Sequence, residues 1–199
     1  MKQELVVATK NQKKLKEIKD LLAGMDFKVT SLDDYPRAPK IIENGRTFAE
    51  NAAKKARVIA GYTGKLTLGE DSGLCVRALG GRPGVYSSRF SGKDKDDLKN
   101  NLKLLKVLKG LPLSGRKAYY VCAIAMADKD GSLRQVEGRC PGVIGFAMRG
   151  KSGFGYDPLF IIPRYKKTFA QLGLKLKHKM SHRFRALEKA KKVLATYLK

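Results

Sequence analysis

Ala118 to Ala127 is an unbroken apolar run, and Leu133 to Cys140, with Leu133, Val136 and Cys140 set among polar residues, follows it across Asp128-Lys129-Asp130-Gly131 and Ser132. Runs of that length joined by a polar, glycine-bearing link read as a β-hairpin, whose strands pair antiparallel. The amino-terminal part has another rhythm. Leu5 to Ala8 reads as a buried strand, and after a short polar link Lys13 to Leu22 reads as a helix with Leu15, Ile18 and Leu22 on one face. Phe27 to Leu32 is a second strand, ahead of a proline-bearing loop from Tyr35 to Lys40. Strand, helix and strand in succession favour parallel pairing, so the two rhythms together predict an α/β fold on a mixed central sheet.

The remaining elements follow from local signals. Thr47-Phe48-Ala49-Glu50 has capping-box spacing, and Phe48, Ala52, Ala56, Ile59 and Ala60 continue as a helical stripe that ends near Gly61 and Gly64. Leu66 to Leu68 and Leu74 to Val76 are strand candidates, and Gly80-Gly81-Arg82-Pro83-Gly84 is a loop. Asp96 to Leu108 is predicted helical with Leu98, Leu102, Leu105 and Leu108 inward, and Leu159 to Ile162 is another strand. A last helix starts at about Ser181, with Phe184, Leu187, Leu194 and Leu198 as its core stripe. No repeat, linker or low-complexity tract divides residues 1–199, which are expected to form one domain.

Composition narrows the function classes. The chain has 42 Lys and Arg against 18 Asp and Glu, a formal charge of +24 whose potential attracts polyanions: nucleotides, nucleic acid or anionic membrane. The bases are spread along the chain without a zinc finger, an RNA-recognition signature or a basic heptad region. This favours a solubilising surface with a taste for anionic substrates, and leaves a basic nucleic-acid-binding protein as the alternative. Cys75, Cys122 and Cys140 are odd in number and lack Cys-x-x-Cys spacing, so reduced, partly buried thiols are expected. The apolar run at the amino terminus is too short for a signal peptide and no run reaches membrane-spanning length, which predicts a cytoplasmic protein without membrane partners.

Four blocks carry chemistry. Glu70 and Asp71 are adjacent acids in a basic chain, between Leu66-Thr67-Leu68 and Ser72-Gly73. On an extended strand they point to opposite faces, so one suits a metal and the other a water, although Glu-Asp-Ser-Gly is also ordinary turn chemistry. Thr9-Lys10-Asn11-Gln12-Lys13-Lys14 joins the first strand to the first helix, where unpaired N–H groups and ammoniums suit phosphate oxygens, or simply start a helix. Gly153-Phe154-Gly155-Tyr156-Asp157-Pro158 sets aromatic rings on a glycine-rich turn, fit for stacking a flat base or for anchoring the loop. Ser181-His182-Arg183 opens the last helix with a cap and two further donors.

Taken in order, these blocks resemble the inosine triphosphate pyrophosphatase family over about Leu5 to Leu194. The resemblance rests on Val7-Ala8-Thr9-Lys10-Asn11 with Lys14, Thr47-Phe48-Ala49-Glu50-Asn51-Ala52, Glu70-Asp71-Ser72-Gly73-Leu74, Leu79 to Arg89, Phe154-Gly155-Tyr156-Asp157-Pro158 and Ser181-His182-Arg183. It implies a long mixed sheet flanked by helices, two lobes with a cleft between them, and a homodimer. It also implies Mg²⁺-assisted hydrolysis of deaminated purine nucleoside triphosphates (ITP, dITP, XTP) to the monophosphate and pyrophosphate. By the same resemblance Thr9, Asn11, Lys14 and Lys55 would hold the triphosphate, Glu43 and Glu70 with Asp71 the metal, and Asp71 would activate water. Phe154 would stack on the purine, with Ser72, Gly155, Tyr156, Asp157, Lys177, His182 and Arg183 completing the substrate site. By that resemblance His182 and Arg183 are donors that would donate to a 6-keto oxygen, whereas the 6-amino group of adenine would leave them facing another donor. Lys10 stands where the family usually has glycine, and Glu70 where many members have aspartate.

Overall fold

Leu5, Val6 and Val7 are fully buried, the signature of a strand covered on both faces. In the computed structural model, which describes residues 2–198, β1 (Gln3–Val7) lies between β2 (Phe27–Ser31) and β3 (Thr67–Val76) and runs parallel to both. β4 (Lys117–Ala127) and β5 (Leu133–Ile144) are the expected hairpin, followed by β6 (Phe160–Ile162) and β7 (Lys167–Thr168). The order is β2-β1-β3-β4-β5-β6-β7, with β5–β6 and β6–β7 antiparallel, so the sheet is mixed. Asp128 closes the hairpin turn by accepting from Asp130 N at 3.0 Å and Ser132 N at 3.2 Å.

Five helices accompany the described sheet: α1 (Gln12–Leu22), α2 (Phe48–Thr63), α3 (Asp97–Val107), α4 (Phe169–Lys177) and α5 (His182–Leu194). Asn11 caps α1 by accepting from Lys14 N at 3.1 Å, and Leu15, Ile18 and Leu22 are buried as their spacing requires. Thr47 caps α2 by accepting from Glu50 N at 3.1 Å. The return bond of the capping box is displaced by one residue, since Glu50 accepts from Arg46 N at 2.8 Å. Gly64, left-handed at φ 65°, ends the helix.

The chain divides into two compact units. The first comprises Met1–Asp71, Cys122–Gly138 and Arg183–Lys199, and the second Ser72–Val121 and Arg139–His182. In the first unit, Leu5, Val7 and Leu68 of the sheet pack with Ile18 of α1 and Leu187 and Leu194 of α5; each such side chain contributes about 1.5–3 kcal/mol by leaving water. In the second, Leu104 and Leu108 pack with Tyr120, Phe160 and Phe169. The three cysteines are buried, and none is in a disulfide among the described residues.

Three expectations are corrected. Glu70-Asp71-Ser72-Gly73 is no turn, and the two strand candidates on either side are one ten-residue strand, β3. On α3 the inward face is Asn100, Asn101, Leu104 and Leu108, while Leu98 and Leu102 are 56% and 51% exposed. Hydrogen bonding displaces the leucine stripe: Asn100 donates to Ser88 O at 3.1 Å and Asn101 to Gly155 O at 2.8 Å. α4 has no counterpart in the expected elements, because Gly173 (φ 77°, ψ 169°) breaks it into two short helical stretches with no continuous stripe.

Candidate active site

In the first unit the site grows from an absent side chain. A Cβ on Gly69 would lie 2.2 Å from Ala52 O and 2.7 Å from Ala56 N, so only glycine lets α2 settle this close to β3. Asp71, two residues on and on the same face, therefore meets α2 directly. Asn51 Nδ2 donates to Asp71 Oδ2 at 3.0 Å and Lys55 Nζ lies 3.4 Å from Asp71 Oδ1. Asn51 and Lys55 are one helical turn apart, which puts both on the buried side of α2. Lys55 also donates to Glu70 O at 3.0 Å and pairs with Glu43 Oε2 at 3.2 Å. Asn51 Oδ1 in turn accepts from Gly45 N at 2.8 Å, fixing the amide.

Glu70 points to the other face, as strand geometry demands. Its carboxylate meets Lys14 Nζ at 2.9 Å, Arg183 Nη2 at 3.1 Å and the Cys122 thiol at 3.3 Å. Arg183, 1% exposed, also pairs with Glu17 of α1. Burial pulls the Lys14 ammonium towards neutrality, but Glu70 and Asp71 outweigh it and raise its pKa, so Lys14 stays charged. Burial dominates at Asp71, whose pKa is raised despite Lys55, Lys14 and Asn51. Burial and Glu70 also raise the Cys122 pKa, which keeps that group a thiol.

In the second unit the loop from Gly153 to Pro158 is held by its own acid. Asp157 Oδ2 accepts from Phe154 N at 3.0 Å and from Lys177 Nζ at 2.7 Å, and both members of the ion pair are 2% exposed. Lys177 Nζ lies 4.5 Å from the centre of the Phe154 ring. Asp97 and Asn101, one turn apart on α3, clamp Gly155 by accepting from its N–H and donating to its carbonyl, each at 2.8 Å. His182 stacks on Tyr120 with centroids 4.6 Å apart and rings 11° from parallel.

The expected residues thus fall into two groups. Thr9, Asn11, Lys14, Glu43, Lys55, Glu70, Asp71 and Arg183 belong to the first unit, and Ser72, Phe154, Gly155, Tyr156, Asp157, Lys177 and His182 to the second. Arg183, expected at the purine edge, has Glu17 and Glu70 as partners in its own unit. Tyr156 is 3% exposed, with its hydroxyl donating to Ser87 O at 2.8 Å, so its ring serves the core and Phe154 is the loop's half-exposed aromatic. Lys10 is not among the described non-glycine residues with positive φ, which are Lys95 and Lys166, so the loop's backbone does not require glycine there. Asn51, Glu17, Asp97 and Asn101 were not among the expected site residues. The four-residue spacings Asn51–Lys55 and Asp97–Asn101 are the signals that point to three of them.

A divalent cation suits these groups. No cluster of three His, Cys, Asp or Glu side chains is positioned to hold a metal by itself among the described residues. The first unit does offer hard carboxylate oxygens on Glu43, Glu70 and Asp71, with cationic Lys14 and Lys55 already balancing their charge. Mg²⁺ is usually held by one or two carboxylates together with substrate phosphates, and the donor set fits that habit.

The chain matches the model of the Ham1 family over residues 5–193. It is 49% identical to a dITP/XTP pyrophosphatase of Desulforamulus reducens over 191 residues, covering 96% of this chain and 95% of that one. A dITP/XTP pyrophosphatase of Shouchella clausii is 47% identical over 191 residues, 96% of each chain. Among solved structures, the Staphylococcus aureus Ham1 protein aligns with a TM-score of 0.89 at 36% identity, covering 98% of this chain and 100% of that one. A HAM1 protein of Coxiella burnetii aligns with a TM-score of 0.90 at 39% identity, covering 98% and 99%.

Proposed function

The chain belongs to the Ham1 family, and from that premise we propose that it hydrolyses dITP, XTP and ITP to the nucleoside monophosphate and pyrophosphate, clearing deaminated purines from the nucleotide pool. The observation that carries the chemistry is the buried acid pair on β3, Glu70 and Asp71, faced by Lys14 of α1 and Lys55 of α2. A triphosphate repels an incoming hydroxide, so its cleavage needs cations at the phosphates and a carboxylate to take a proton from water.

Thr9, Asn11, Lys14 and Lys55 are the proposed phosphate ligands. Asn11 caps α1 through its carbonyl oxygen, which directs the amide NH₂ away from the helix. Asp71 is the proposed base. Asn51 fixes one of its oxygens while Lys55 neighbours the other, an arrangement that keeps the carboxylate aimed. Glu43, Glu70 and Asp71 would hold Mg²⁺, which when bound neutralises phosphate charge and stabilises the pyrophosphate leaving group. Phe154 is assigned to purine stacking, with Ser72, Gly155, Tyr156, Asp157, Lys177, His182 and Arg183 completing the substrate site as side chains or as the loop's framework. We further propose a homodimer and a cytoplasmic location, to be checked by light scattering and by cell fractionation; no described helix is long and apolar enough to cross a membrane.

The reading is tested by measuring pyrophosphate and orthophosphate released from dITP, XTP, ITP, ATP and GTP with Mg²⁺. Pyrophosphate from the deaminated nucleotides, lost on chelation and restored by Mg²⁺, is expected. Orthophosphate as the product, or ATP as the best substrate, overturns it.

A further inference from the structure

The second unit carries twenty Lys and Arg against four acids, Asp94, Asp96, Asp97 and Asp157. All four acids are engaged locally. Asp94 pairs with Lys99 at 3.3 Å, Asp96 caps α3, Asp97 accepts from Gly155 N, and Asp157 is buried against Lys177. Between Arg139 and His182 the sequence has no other acid than Asp157. The surface built from that stretch is therefore basic with no exposed carboxylate of its own.

Its bases are brought to one edge. Thr168 Oγ1 of the terminal strand β7 donates to Arg149 O at 2.7 Å, and Ser152 N donates to Ala170 O of α4 at 3.3 Å. Lys167 pairs with Ile162 across β6–β7, and Arg164 lies in the turn between those strands. Lys175 and Lys179 follow four residues apart, on α4 and just beyond it. Arg149, Lys151, Arg164, Lys167, Lys175 and Lys179 are exposed and form no ion pair among the described residues.

We propose that this edge docks the phosphate backbone of duplex nucleic acid without reading its sequence. Uncompensated lysines and arginines at a sheet edge supply the counterion-releasing contacts on which non-specific binding rests. Single strands ask for a row of stacking platforms, but the one aromatic ring that this stretch exposes by more than half is Phe146, at 62%, with Arg116 already 4.4 Å from its centre, while Tyr165 carries Arg164 at 5.7 Å. A bilayer asks for an insertable helix face, but α4 buries Phe169 and Ala170 and, of its large apolar side chains, exposes Leu174 alone, at 42%. The docking surface is independent of the catalytic reading, and its loss leaves nucleotide hydrolysis intact.

The test is fluorescence anisotropy with a labelled mixed-sequence DNA duplex, the matching single strand, and vesicles of phosphatidylserine and phosphatidylcholine. The full chain is compared with a K151Q/R164Q/K167Q/K175Q/K179Q variant and a K16Q/K19Q/K28Q/R185Q/K192Q variant that removes equal charge from the first unit. The edge variant is expected to lose at least about tenfold in duplex affinity, and its log–log salt slope to become shallower by up to about 4, at about 0.9 for each phosphate no longer neutralised. The first-unit variant should change less than about threefold, and both should hydrolyse dITP at the parent rate as proof of folding. Equal losses in the two variants, preference for the single strand, or binding to vesicles without binding to duplex would each overturn the proposal.

Discussion

Asp71 is the residue on which turnover should depend most. Its carboxylate is buried, oriented by Asn51 and neighboured by two lysines, so Asp71→Asn keeps the shape and removes the base. Turnover should fall about 10²–10⁴-fold with substrate still bound, as general-base losses do; undiminished turnover in a pyrophosphate assay would remove Asp71 from that role. Asn51→Ala tests the support beneath it. With Gly45 N and Asp71 both losing a partner, kcat should drop about 10–100-fold while KM changes little, and a KM effect alone would show that Asn51 acts on binding. Asp33-Asp34 and Asp96-Asp97 are adjacent acids too, so what made Glu70-Asp71 legible in the sequence was its place between the apolar run Leu66-Thr67-Leu68 and Ser72-Gly73. The separate surroundings of Glu70 and Asp71 were not legible, since these depend on how closely α2 approaches Gly69 and on Arg183 arriving from a helix 113 positions after Glu70. Tyr156 and Phe154 likewise look equivalent in sequence, and only packing sends one ring into the core.

Elements were legible where one signal governed them. α1, α2 and the β4–β5 hairpin follow from caps, a continuous apolar stripe and a turn. α3 broke the rule because buried asparagines with specific backbone partners outrank leucines for the inward face, and α4 escaped notice because Gly173 interrupts it. The junction of β1 and β2 shows a polar tie that periodicity cannot reveal. Glu4 accepts from Thr30 Oγ1 at 2.9 Å, from Lys65 Nζ at 2.6 Å and from the Tyr35 hydroxyl. Burial pushes its pKa up, but the bonds from Lys65, Tyr35 and Thr30 prevail and lower it from 4.5 to about 2. A depressed carboxylate pKa means stability that is fully present above the unfolded value, near 4.5, and lost as pH falls through about 2. Glu4→Gln should therefore cost about 1–3 kcal/mol in urea unfolding at neutral pH, with the difference from the parent shrinking across that acid window. A cost that stays constant through the window would show that packing, not ionisation, makes the tie.

For the molecule as a whole, the decisive quantity is the charge of +24. Folding gathers these charges into a smaller volume than the unfolded chain occupies, so self-repulsion opposes the native state. Local ion pairs act against this, yet several are exposed and weak, such as Lys2–Asp26 and Lys99–Asp94, whose side chains are more than half exposed. The strong pairs, Lys177–Asp157 and Arg183 with Glu17 and Glu70, are buried and little affected by dissolved ions. Screening should therefore relieve more repulsion than it removes attraction. Raising KCl from about 10 to about 150 mM shortens the Debye length from about 30 to about 8 Å. The melting temperature should then rise by about 2–8 °C, corresponding to about 1–2 kcal/mol for a chain of this size. Calorimetry in KCl, whose ions have little effect on apolar burial, separates this from a general salting-out effect, for which sulfate would be needed. A melting temperature that falls with KCl would mean that surface attraction outweighs repulsion even at this net charge, and that the bases are locally compensated after all.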